Sequence, residues 1–340
     1  MTGPVIIAHR GACGHRPEHT LAGYELAIAM GADYLEPDVV PTRDGVLVVR
    51  HDSELSGTTD IADRPDFADR RTTRTVDGDE LTGWFVEDLT LEEVKALRAR
   101  ERIPHVRPAN AAFDGLFQIP TLDEVLTLAV KAGVGVYPET KNPTHFAGIG
   151  LALEEPLVTA LHAAGFTGRD APVYIQSFEV GNLRALRDMT ELPLVQLLSS
   201  HGQPPDIAAG DGDLTYPDMA TADGLAEIAT YADGIGPHKT VLIPTTATGA
   251  SGTPTMVVDD AHAVGLVVHP WTFRNEQQSL ATDLHATHEG NAQTTATAVG
   301  LAPHEYRRFF DLGVDGVFSD HVDMAVAARH AWLRDQTPQT

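Results

Sequence analysis

Three carboxylates stand where short apolar runs of the sequence end. Glu36 and Asp38 are two residues apart in "DYLEPDVV", so in an extended strand both side chains leave the same face. Glu139 follows another apolar run in "VGVYPETKN". Carboxylates at one site repel each other unless a cation lies between them or one is protonated, and a hard divalent metal with oxygen ligands is the simplest explanation. The competing interpretation is a strand end that merely faces solvent.

Two histidines and two cations occupy the same kind of position. His9 and Arg10 follow "VIIA", His51 follows "VLVVR", and Lys141 stands two residues after Glu139. A lone histidine is more often structural, but two at strand ends beside carboxylates suit a paired general acid and general base. Arg10 offers bidentate donors for phosphate oxygens, and Lys141 would either face an anion beside the metal or pair with Glu139. A metal with Lys and Arg supplies the charge neutralisation that a phosphodiester requires.

Three further residues are candidate ligand contacts. Glu18 in "RPEHT" could contact the ligand or brace a loop, with the bracing role slightly favoured. Gln176 ends the run "VYIQ", and Trp271 follows the run "LVVHP". At a strand tip, Trp271 could form an apolar wall for a glyceryl or alcohol group, or it could pack under a loop. We expect supporting roles in substrate binding for these residues.

The other polar residues near the motifs are expected to be structural. Asp320 in "GVFSDHVD" suits a helix N-cap better than catalysis, and Thr20 suits the N-cap of the first helix. His15 and His19 are weak candidates for chemistry. Cys13 lacks a supporting partner in the sequence and is expected to be a small loop residue.

Apolar, β-branched runs alternate with helical patterns along the chain. Strands are predicted at 5–8, 33–38, 134–138, 173–176, 193–198, 233–236, 266–270 and 314–318. Helices are predicted between them at 20–31, 121–132, 149–164, 179–190, 221–231, 255–264, 303–312 and 321–333. This alternation in one direction predicts an α/β fold, a (β/α)8 TIM barrel. The carboxyl ends of its strands, where the motifs stand, would form the binding face.

Three stretches interrupt the alternation. Residues 53–118 are rich in Gly, Asp and Arg and predict a small inserted subdomain after the second strand region, within a single domain of residues 1–340. Residues 199–219 and 272–302 are long polar loops, and loops of this length are usually functional or mobile. Because all three stretches follow strands, we expect them to crowd the carboxyl-terminal face of the barrel.

The composition limits the possible partners. The 340 residues carry 24 Lys and Arg against 48 Asp and Glu, a net charge of −24. The negative electrostatic field of this charge repels nucleic acid and anionic membrane surfaces, so neither nucleic-acid binding nor stable membrane association is expected. One cysteine excludes an intramolecular disulfide and a Cys-rich zinc site. No signal peptide is visible in "MTGPVII", which predicts a cytoplasmic protein as written, or a periplasmic or secreted one if the chain is a mature form. The sequence leaves the oligomeric state open.

The motifs together resemble a known family. The stretches "AHRGACGHRPEHT", "LEPDVVPTRDGVLVVRHD", "YPETKNP" and "YIQSF" are similar, in order and position, to the glycerophosphodiester phosphodiesterase family. That family's signature is H-R-G, E-x-D, H-D and E-x-K after successive strand regions. "WTFR" and "GVFSD" also fit, so the resemblance covers nearly the whole chain. The sequences of these motifs, together with "GIGPHK", look most like those of the bacterial periplasmic or secreted branch of the family. Thr140 departs from the more usual aliphatic residue, and its side chain should face away from the site.

The resemblance implies a TIM barrel that hydrolyses glycerophosphodiesters to sn-glycerol 3-phosphate and an alcohol. One divalent cation, Ca or Mg, would be held by Glu36, Asp38 and Glu139. The acid–base pair would be His9 and His51, and the phosphate contacts would be Arg10 and Lys141. Direct attack by water and attack by a substrate 2-hydroxyl through a cyclic intermediate both remain open.

Two alternatives to this function use the same barrel. One is a lysophospholipase D or phospholipase-type enzyme that acts on a lipid diester, which the polar loops and the acidic charge disfavour. The other is a non-catalytic barrel that binds glycerophosphodiesters. Such a protein would be expected to have lost a histidine or a metal carboxylate, and neither loss is seen in the sequence.

Overall fold

Strands and helices alternate along most of the chain in the computed structural model, which describes residues 3–286 and 298–336. The strands are β1 (Val5–His9), β2 (Tyr34–Glu36), β3 (Asp38–Pro41), β4 (Leu47–Val49), β5 (Thr72–Val76), β6 (Asp79–Gly83), β7 (Gly135–Val136), β8 (Glu139–Thr140), β9 (Ile175–Ser177), β10 (Leu194–Leu198), β11 (Gly234–Pro237), β12 (Val267–Val268) and β13 (Gly316–Ser319). Every predicted strand overlaps one of these.

The helices lie between and after the strands. They are α1 (Leu21–Met30), α2 (Leu91–Ala96), α3 (Pro108–Ala111), α4 (Leu122–Ala132), α5 (Pro143–Gly148), α6 (Glu154–Ala163), α7 (Val180–Met189), α8 (Pro205–Ala209), α9 (Tyr216–Met219), α10 (Ala222–Ile228), α11 (Lys239–Leu242), α12 (Val257–Ala263), α13 (Ala302–Leu312) and α14 (Val322–Gln336). Short 3₁₀ turns occupy Ile61–Asp63, Pro65–Arg70, Val86–Asp88, Gln277–Ser279 and Thr282–Leu284. Among the described residues, no helix is both long enough and apolar enough to cross a bilayer.

The parallel strands form a ring. Strands β13, β1, β2 and β7 pair in that order, as do β12, β11, β10, β9, β8 and β3. Pro37 alone separates β2 from β3, so the two series are parts of one sheet. Backbone hydrogen bonds from Asp315 N–H to Val268 (3.0 Å) and from Phe318 N–H to Pro270 (3.1 Å) connect the last strand region to β12. This ring confirms the predicted (β/α)8 barrel, with β4 added as an antiparallel return of β3.

Alternate residues of the strands face two apolar layers, as the two-residue period of a strand requires. Ile6 and Ala8 of β1 belong to the large cluster between strands and helices. Ile7 between them joins Phe318 and Tyr137 in a smaller cluster. The rings of Tyr137 and Phe318 meet edge to face with centroids 4.9 Å apart. The centre of the barrel is therefore filled by side chains, and ligands have access only at its ends.

The segment 53–118 packs on the barrel mouth. It contains the β5–β6 hairpin and the short helices α2 and α3. Its residues Leu55, Val86 and Val94 are fully buried in the same apolar cluster as the barrel residues. The division into a single domain of residues 1–340 with an inserted subdomain at 53–118 stays a prediction.

One sequence expectation about an element differs from the structure. The helix predicted over 149–164 begins only at Glu154, because Gly150 takes a left-handed φ of 81° after the separate helix α5. Part of the polar loop predicted at 272–302 lies outside the described residues. The expected N-cap of the first helix is present, since the Thr20 hydroxyl accepts a hydrogen bond from the Gly23 N–H.

Candidate active site

The three motif carboxylates meet at the carboxyl ends of neighbouring strands. Glu36 ends β2, Asp38 begins β3, and Asp38 stands opposite Glu139 of β8 in the strand register. One carboxylate oxygen from each residue lies within 4.8 Å of the others, and all three side chains are buried. Pro37 interrupts the strand between the two acidic residues, which lets both carboxylates enter the same site.

The protonation of this carboxylate group is strongly perturbed. Burial and repulsion from Asp38 and Glu139 raise the pKa of Glu36 well above its usual value. Burial also raises the pKa of Glu139 to about 8, although Lys141 opposes the change. Burial would raise the pKa of Asp38 too, but Lys141 and His19 outweigh it and hold that pKa well below normal. Glu36 and Glu139 are thus favoured as neutral acids while no cation balances them.

The donor set fits a hard divalent cation. Asp38 Oδ1 is buried and has no hydrogen-bond partner among the residues that the structure describes. A buried carboxylate oxygen without a partner is costly, and a cation bound to it would remove that cost. Three carboxylates supply oxygen ligands, which Ca²⁺ and Mg²⁺ prefer and softer metals do not.

His9 is held from behind by Asp320. Its Nδ1 lies 2.6 Å from Asp320 Oδ1, and both side chains are buried. Burial and the neighbouring Arg10 lower the pKa of His9 below its usual value, although Asp320 opposes this. In the neutral ring Nδ1–H donates to Asp320, so Nε2 is the nitrogen left to accept a proton.

His51 is held in the same way by the next residue. Its Nδ1 lies 2.6 Å from Asp52 Oδ1. Burial, Arg10 and Lys141 together lower the pKa of His51 to about 3, so the ring is neutral at neutral pH. Both histidines therefore present an Nε2 that is free to exchange protons.

Two cations stand beside the carboxylates. Lys141 Nζ donates to Glu139 Oε1 at 2.6 Å. Arg10 has a left-handed φ of 57°, and its backbone N–H donates to Glu36 Oε2 at 2.7 Å. Its guanidinium lies 3.4 Å from Asp38 Oδ2 and 3.4 Å from both oxygens of Glu18. Both cations are thus fixed where a phosphate beside the carboxylates would meet them.

A cavity of about 470 Å³ collects the chemistry-bearing side chains, and this volume suits a small ligand. The predicted site residues that line it are His9, Arg10, Glu36, His51, Glu139, Lys141, Gln176 and Trp271. Asp38 is not among the residues that line this cavity. Glu18 lines a neighbouring cavity of about 270 Å³ instead.

Gln176 contributes a polar surface to this cavity and Trp271 contributes an aromatic one. Gln176 Nε2 donates to Glu36 Oε1 at 3.1 Å, and within the described parts of the chain Gln176 Oε1 has no hydrogen-bond partner. The Trp271 indole N–H donates to the Gly236 carbonyl at 2.7 Å, and its ring meets Phe178 edge to face with centroids 5.7 Å apart. Trp271 therefore presents a fixed aromatic face to the cavity, and its role as a wall for a glyceryl or alcohol group stays a prediction.

The structure corrects one expectation and adds one neighbour to the carboxylate group. Asp320 is not a helix N-cap: helix α14 begins at Val322, and the Asp320 oxygens accept from His9, Arg107 and Arg274. His19, a weak candidate in the sequence, is fully buried and lies 2.7 Å from Asp38 Oδ2 through its Nε2.

Sequence reasoning also missed Asp52, Arg102 and Arg107, which support the histidines. The position of Asp52 directly after His51 was a usable signal. Arg102 and Arg107 gave no usable signal, because they lie in a segment with several other arginines and no periodic pattern that would single them out.

Comparison with known proteins gives one family. The Glycerophosphoryl diester phosphodiesterase family profile matches residues 9–324. A glycerophosphodiester phosphodiesterase of Arabidopsis thaliana is 35% identical over 333 residues, which cover 93% of this chain and 83% of the relative. A glycerophosphodiester phosphodiesterase of Bacillus subtilis is 31% identical over 326 residues, which cover 94% of this chain and 84% of the relative.

Solved structures share the fold. An Oleispira antarctica phosphodiesterase in complex with the product sn-glycerol-3-phosphate superposes with a TM-score of 0.62 at 21% identity, and the match covers 96% of both chains. A glycerophosphodiester phosphodiesterase of Agrobacterium tumefaciens gives a TM-score of 0.59 at 19% identity, covering 95% of this chain and 99% of the other. At these identities the likeness establishes the barrel fold.

Proposed function

Because the chain belongs to the glycerophosphoryl diester phosphodiesterase family, we propose that it hydrolyses glycerophosphodiesters to sn-glycerol 3-phosphate and an alcohol. One observation supports this most directly. The cavity lined by the carboxylates of Glu36 and Glu139 is also lined by two histidines and two cations, namely His9, His51, Arg10 and Lys141. Acid–base groups, phosphate-binding cations and a candidate cation site are the parts that phosphodiester hydrolysis requires.

His9 and His51 are the proposed acid and base. In direct hydrolysis, water forms the new P–O bond, and the P–O bond to the alcohol breaks. In the alternative route, the glycerol 2-hydroxyl attacks first and water then opens the cyclic phosphate. In either route one neutral imidazole takes a proton from the attacking oxygen at its Nε2. The other imidazole acts as the acid only in its imidazolium form, in which Nε2 carries the proton that passes to the leaving oxygen. The free Nε2 atoms of both rings suit these transfers.

Arg10 and Lys141 are the proposed phosphate contacts. Arg10 supplies a planar fork of donors and Lys141 a compact charge, which together bind the phosphoryl oxygens as negative charge grows on them. Gln176 offers an unpaired amide oxygen to a substrate hydroxyl, and Trp271 provides the apolar wall for the alcohol or glyceryl group. Glu18 is proposed to hold Arg10 in place, whereas the sequence favoured a role in bracing a loop.

Glu36, Asp38 and Glu139 are the proposed ligands of one divalent cation, Ca or Mg. The unpaired Asp38 oxygen and the raised pKa values of the two glutamates support this assignment. When bound, such a cation neutralises phosphate charge and polarises the phosphorus–oxygen bonds.

A substrate panel tests the proposal. Purified protein is incubated with glycerophosphocholine, glycerophosphoethanolamine and glycerophosphoglycerol in Ca, Mg or excess chelator, and glycerol 3-phosphate is measured. We expect release of glycerol 3-phosphate with at least one cation and loss of release with chelator. Intact diesters under all metal-replete conditions would contradict the activity. Faster turnover of lysophosphatidylcholine than of glycerophosphocholine would instead support a lipid phosphodiesterase.

A further inference from the structure

We propose that Arg102 and Arg107, both in the segment 53–118, are positioning residues that orient the two active-site histidines. Each arginine holds the aspartate behind one histidine, so one short stretch outside the barrel sets the geometry of both imidazoles. The inference rests on the acid–base role proposed for His9 and His51.

Arg107 reaches His9 through Asp320. Its Nη2 donates to Asp320 Oδ2 at 2.6 Å, while Asp320 Oδ1 lies 2.6 Å from His9 Nδ1. The Arg107 Nε donates to Glu276 at 2.5 Å, and its Nη1 donates to the Cys13 carbonyl at 3.0 Å. Every branch of this guanidinium is therefore engaged, and the side chain is only 7% exposed. A fork held on three sides fixes the carboxylate that it contacts.

Arg102 reaches His51 through Asp52. Its Nη2 lies 2.7 Å from Asp52 Oδ2, while Asp52 Oδ1 lies 2.6 Å from His51 Nδ1. The same guanidinium donates to both oxygens of Glu18 at 2.8 and 2.7 Å. Glu18 also pairs with Arg10, the proposed phosphate contact. Arg102 therefore links Asp52, which contacts His51, to Glu18, which contacts Arg10.

The stretch that carries both arginines is held by hydrogen bonds within the segment 53–118 and by one to the loop that follows β1. Glu101 N–H donates to Asp114 at 2.7 Å, and Ile103 N–H donates to the Glu101 carboxylate at 2.9 Å. Asn110 bridges the Glu101 carboxylate and the Cys13 carbonyl. The arginines are thus anchored by their own backbone and do not depend on a free loop.

Contact with substrate does not account for these arginines. Neither lines the cavity of about 470 Å³ that holds the reactive groups; both line the neighbouring cavity of about 270 Å³ behind His9. An aspartate that accepts from histidine Nδ1–H keeps the proton on that nitrogen and leaves Nε2 free. An arginine on the other carboxylate oxygen stops the aspartate from rotating and keeps it ionised. Losing either arginine should therefore misalign one histidine while substrate contacts persist.

The test uses Arg102→Gln and Arg107→Gln/Glu276→Gln, where the second change removes the carboxylate that would be left unpaired. We expect kcat to fall roughly 10- to 100-fold with little change in KM, as for a displaced catalytic group. Arg274 still contacts Asp320 after the Arg107 change, so the loss should be smaller than that of His9→Ala. The control is Arg100→Gln, which removes only an exposed pair with Asp63 and should leave kcat unchanged.

Double-mutant cycles identify the route of action. Arg102→Gln should add little to the loss in a His51→Ala background, yet should retain its full effect in a His9→Ala background. The Arg107 variant should show the reverse pattern. Equal effects of each arginine in both backgrounds would overturn the proposal.

Imidazole ¹⁵N spectra give a second readout without turnover. In the native protein His9 and His51 should be Nδ1–H tautomers, and each arginine variant should shift only its own histidine. Unchanged spectra in folded variants would also overturn the proposal. Near-normal activity of His9→Ala and His51→Ala would be a separate result, because it would contradict the acid–base function itself.

Discussion

At the scale of residues, the two histidines share one arrangement. Each imidazole has a lowered pKa and an aspartate at Nδ1, which leaves its Nε2 to exchange a proton. Asp320 stays ionised in spite of its burial, because Arg274 and Arg107 hold its pKa well below normal. Neutral imidazoles beside charged aspartates are the protonation states that a general base requires.

Replacement of either histidine tests the acid–base role. We expect His9→Ala and His51→Ala each to lower kcat by at least about 10²-fold, the usual contribution of positioned proton transfer. Steady-state kinetics on glycerophosphocholine would measure the loss. His304→Ala, at an exposed helix position, is the matched control and should turn over normally. Near-native rates in both active-site variants would remove the assignment.

A histidine away from the site makes stability depend on pH. His269 is 2% exposed, accepts or donates through Nδ1 to the Tyr137 hydroxyl at 2.8 Å, and has its pKa lowered by burial from 6.5 to about 4. Between these two values the unfolded chain binds a proton that the folded chain refuses. The free energy of unfolding should therefore fall as pH drops from about 6.5 to about 4, by about 3 kcal/mol for this group.

His269→Gln isolates this contribution, because an amide can still bond to the Tyr137 hydroxyl. Urea unfolding at about pH 7 and about pH 4.5 should show a larger loss of stability for the native protein than for the variant. The same loss in both proteins would show that other groups control acid sensitivity.

Individual roles were predictable only where a residue stood in a motif. The family, the carboxylate group and the cavity-lining positions of His9 and His51 followed from residues at strand ends, and the first two of these are now confirmed. Catalytic, metal and substrate roles stay predictions. Asp320 was misread because a strand-end aspartate before a helix has the same local pattern whether it caps the helix or supports a distant histidine. Arginine contacts across 213 residues leave no local trace.

At the scale of elements, the loop from β1 into α1 brings two backbones into close contact. Gly11 has a φ of 85°, and a Cβ placed there would lie 3.0 Å from the Gly23 carbonyl carbon and 3.1 Å from the Tyr24 nitrogen. The loop carries His9 and Arg10 at its start, so its fit against α1 determines how they enter the cavity.

Gly11→Ala tests this close approach, with Gly45→Ala as control. Gly45 has a similar φ of 78° but nothing within 4 Å of an added Cβ. Both variants incur the left-handed backbone cost of about 1–2 kcal/mol, but only Gly11→Ala also forces backbone atoms apart. We expect a clearly larger loss of unfolding free energy and of activity for Gly11→Ala. Equal losses would show that α1 moves freely.

Elements of the barrel were predictable because short apolar runs alternate regularly with helical patterns along the chain. The strand predictions are confirmed, and helix α4 lies within one residue of its predicted bounds. The segment 53–118 was less accessible to prediction. Its short helices and hairpin are stabilised by contacts with the barrel, as the burial of Val94 illustrates, and not by strong periodicity of their own.

At the scale of the whole molecule, local and total charge oppose each other. The net charge is −24, yet the cavity is lined by Arg10, Lys141, Lys239, Arg274 and Arg308. An anionic substrate is therefore repelled at long range and attracted at contact. Salt screens the distant charges more than the near, partly buried ones.

Ionic strength should separate these two effects. We expect kcat/KM for anionic glycerophosphoglycerol to rise from about 10 to about 150 mM inert salt, as the Debye length falls from about 30 to about 8 Å. Zwitterionic glycerophosphocholine should change less. A decrease for the anionic diester alone would show that the cavity cations control its approach.

The first and last strands of the barrel pair along their length, from Val5 opposite Gly316 to Ala8 opposite Ser319. During synthesis on the ribosome, β1 emerges long before β13, so one edge of a buried apolar strand stays open until β13 has been made. Open strand edges of this kind invite association with other chains. The open edge of β1 is therefore prone to such association until β13 arrives, and the His9–Asp320 pair cannot form before that moment.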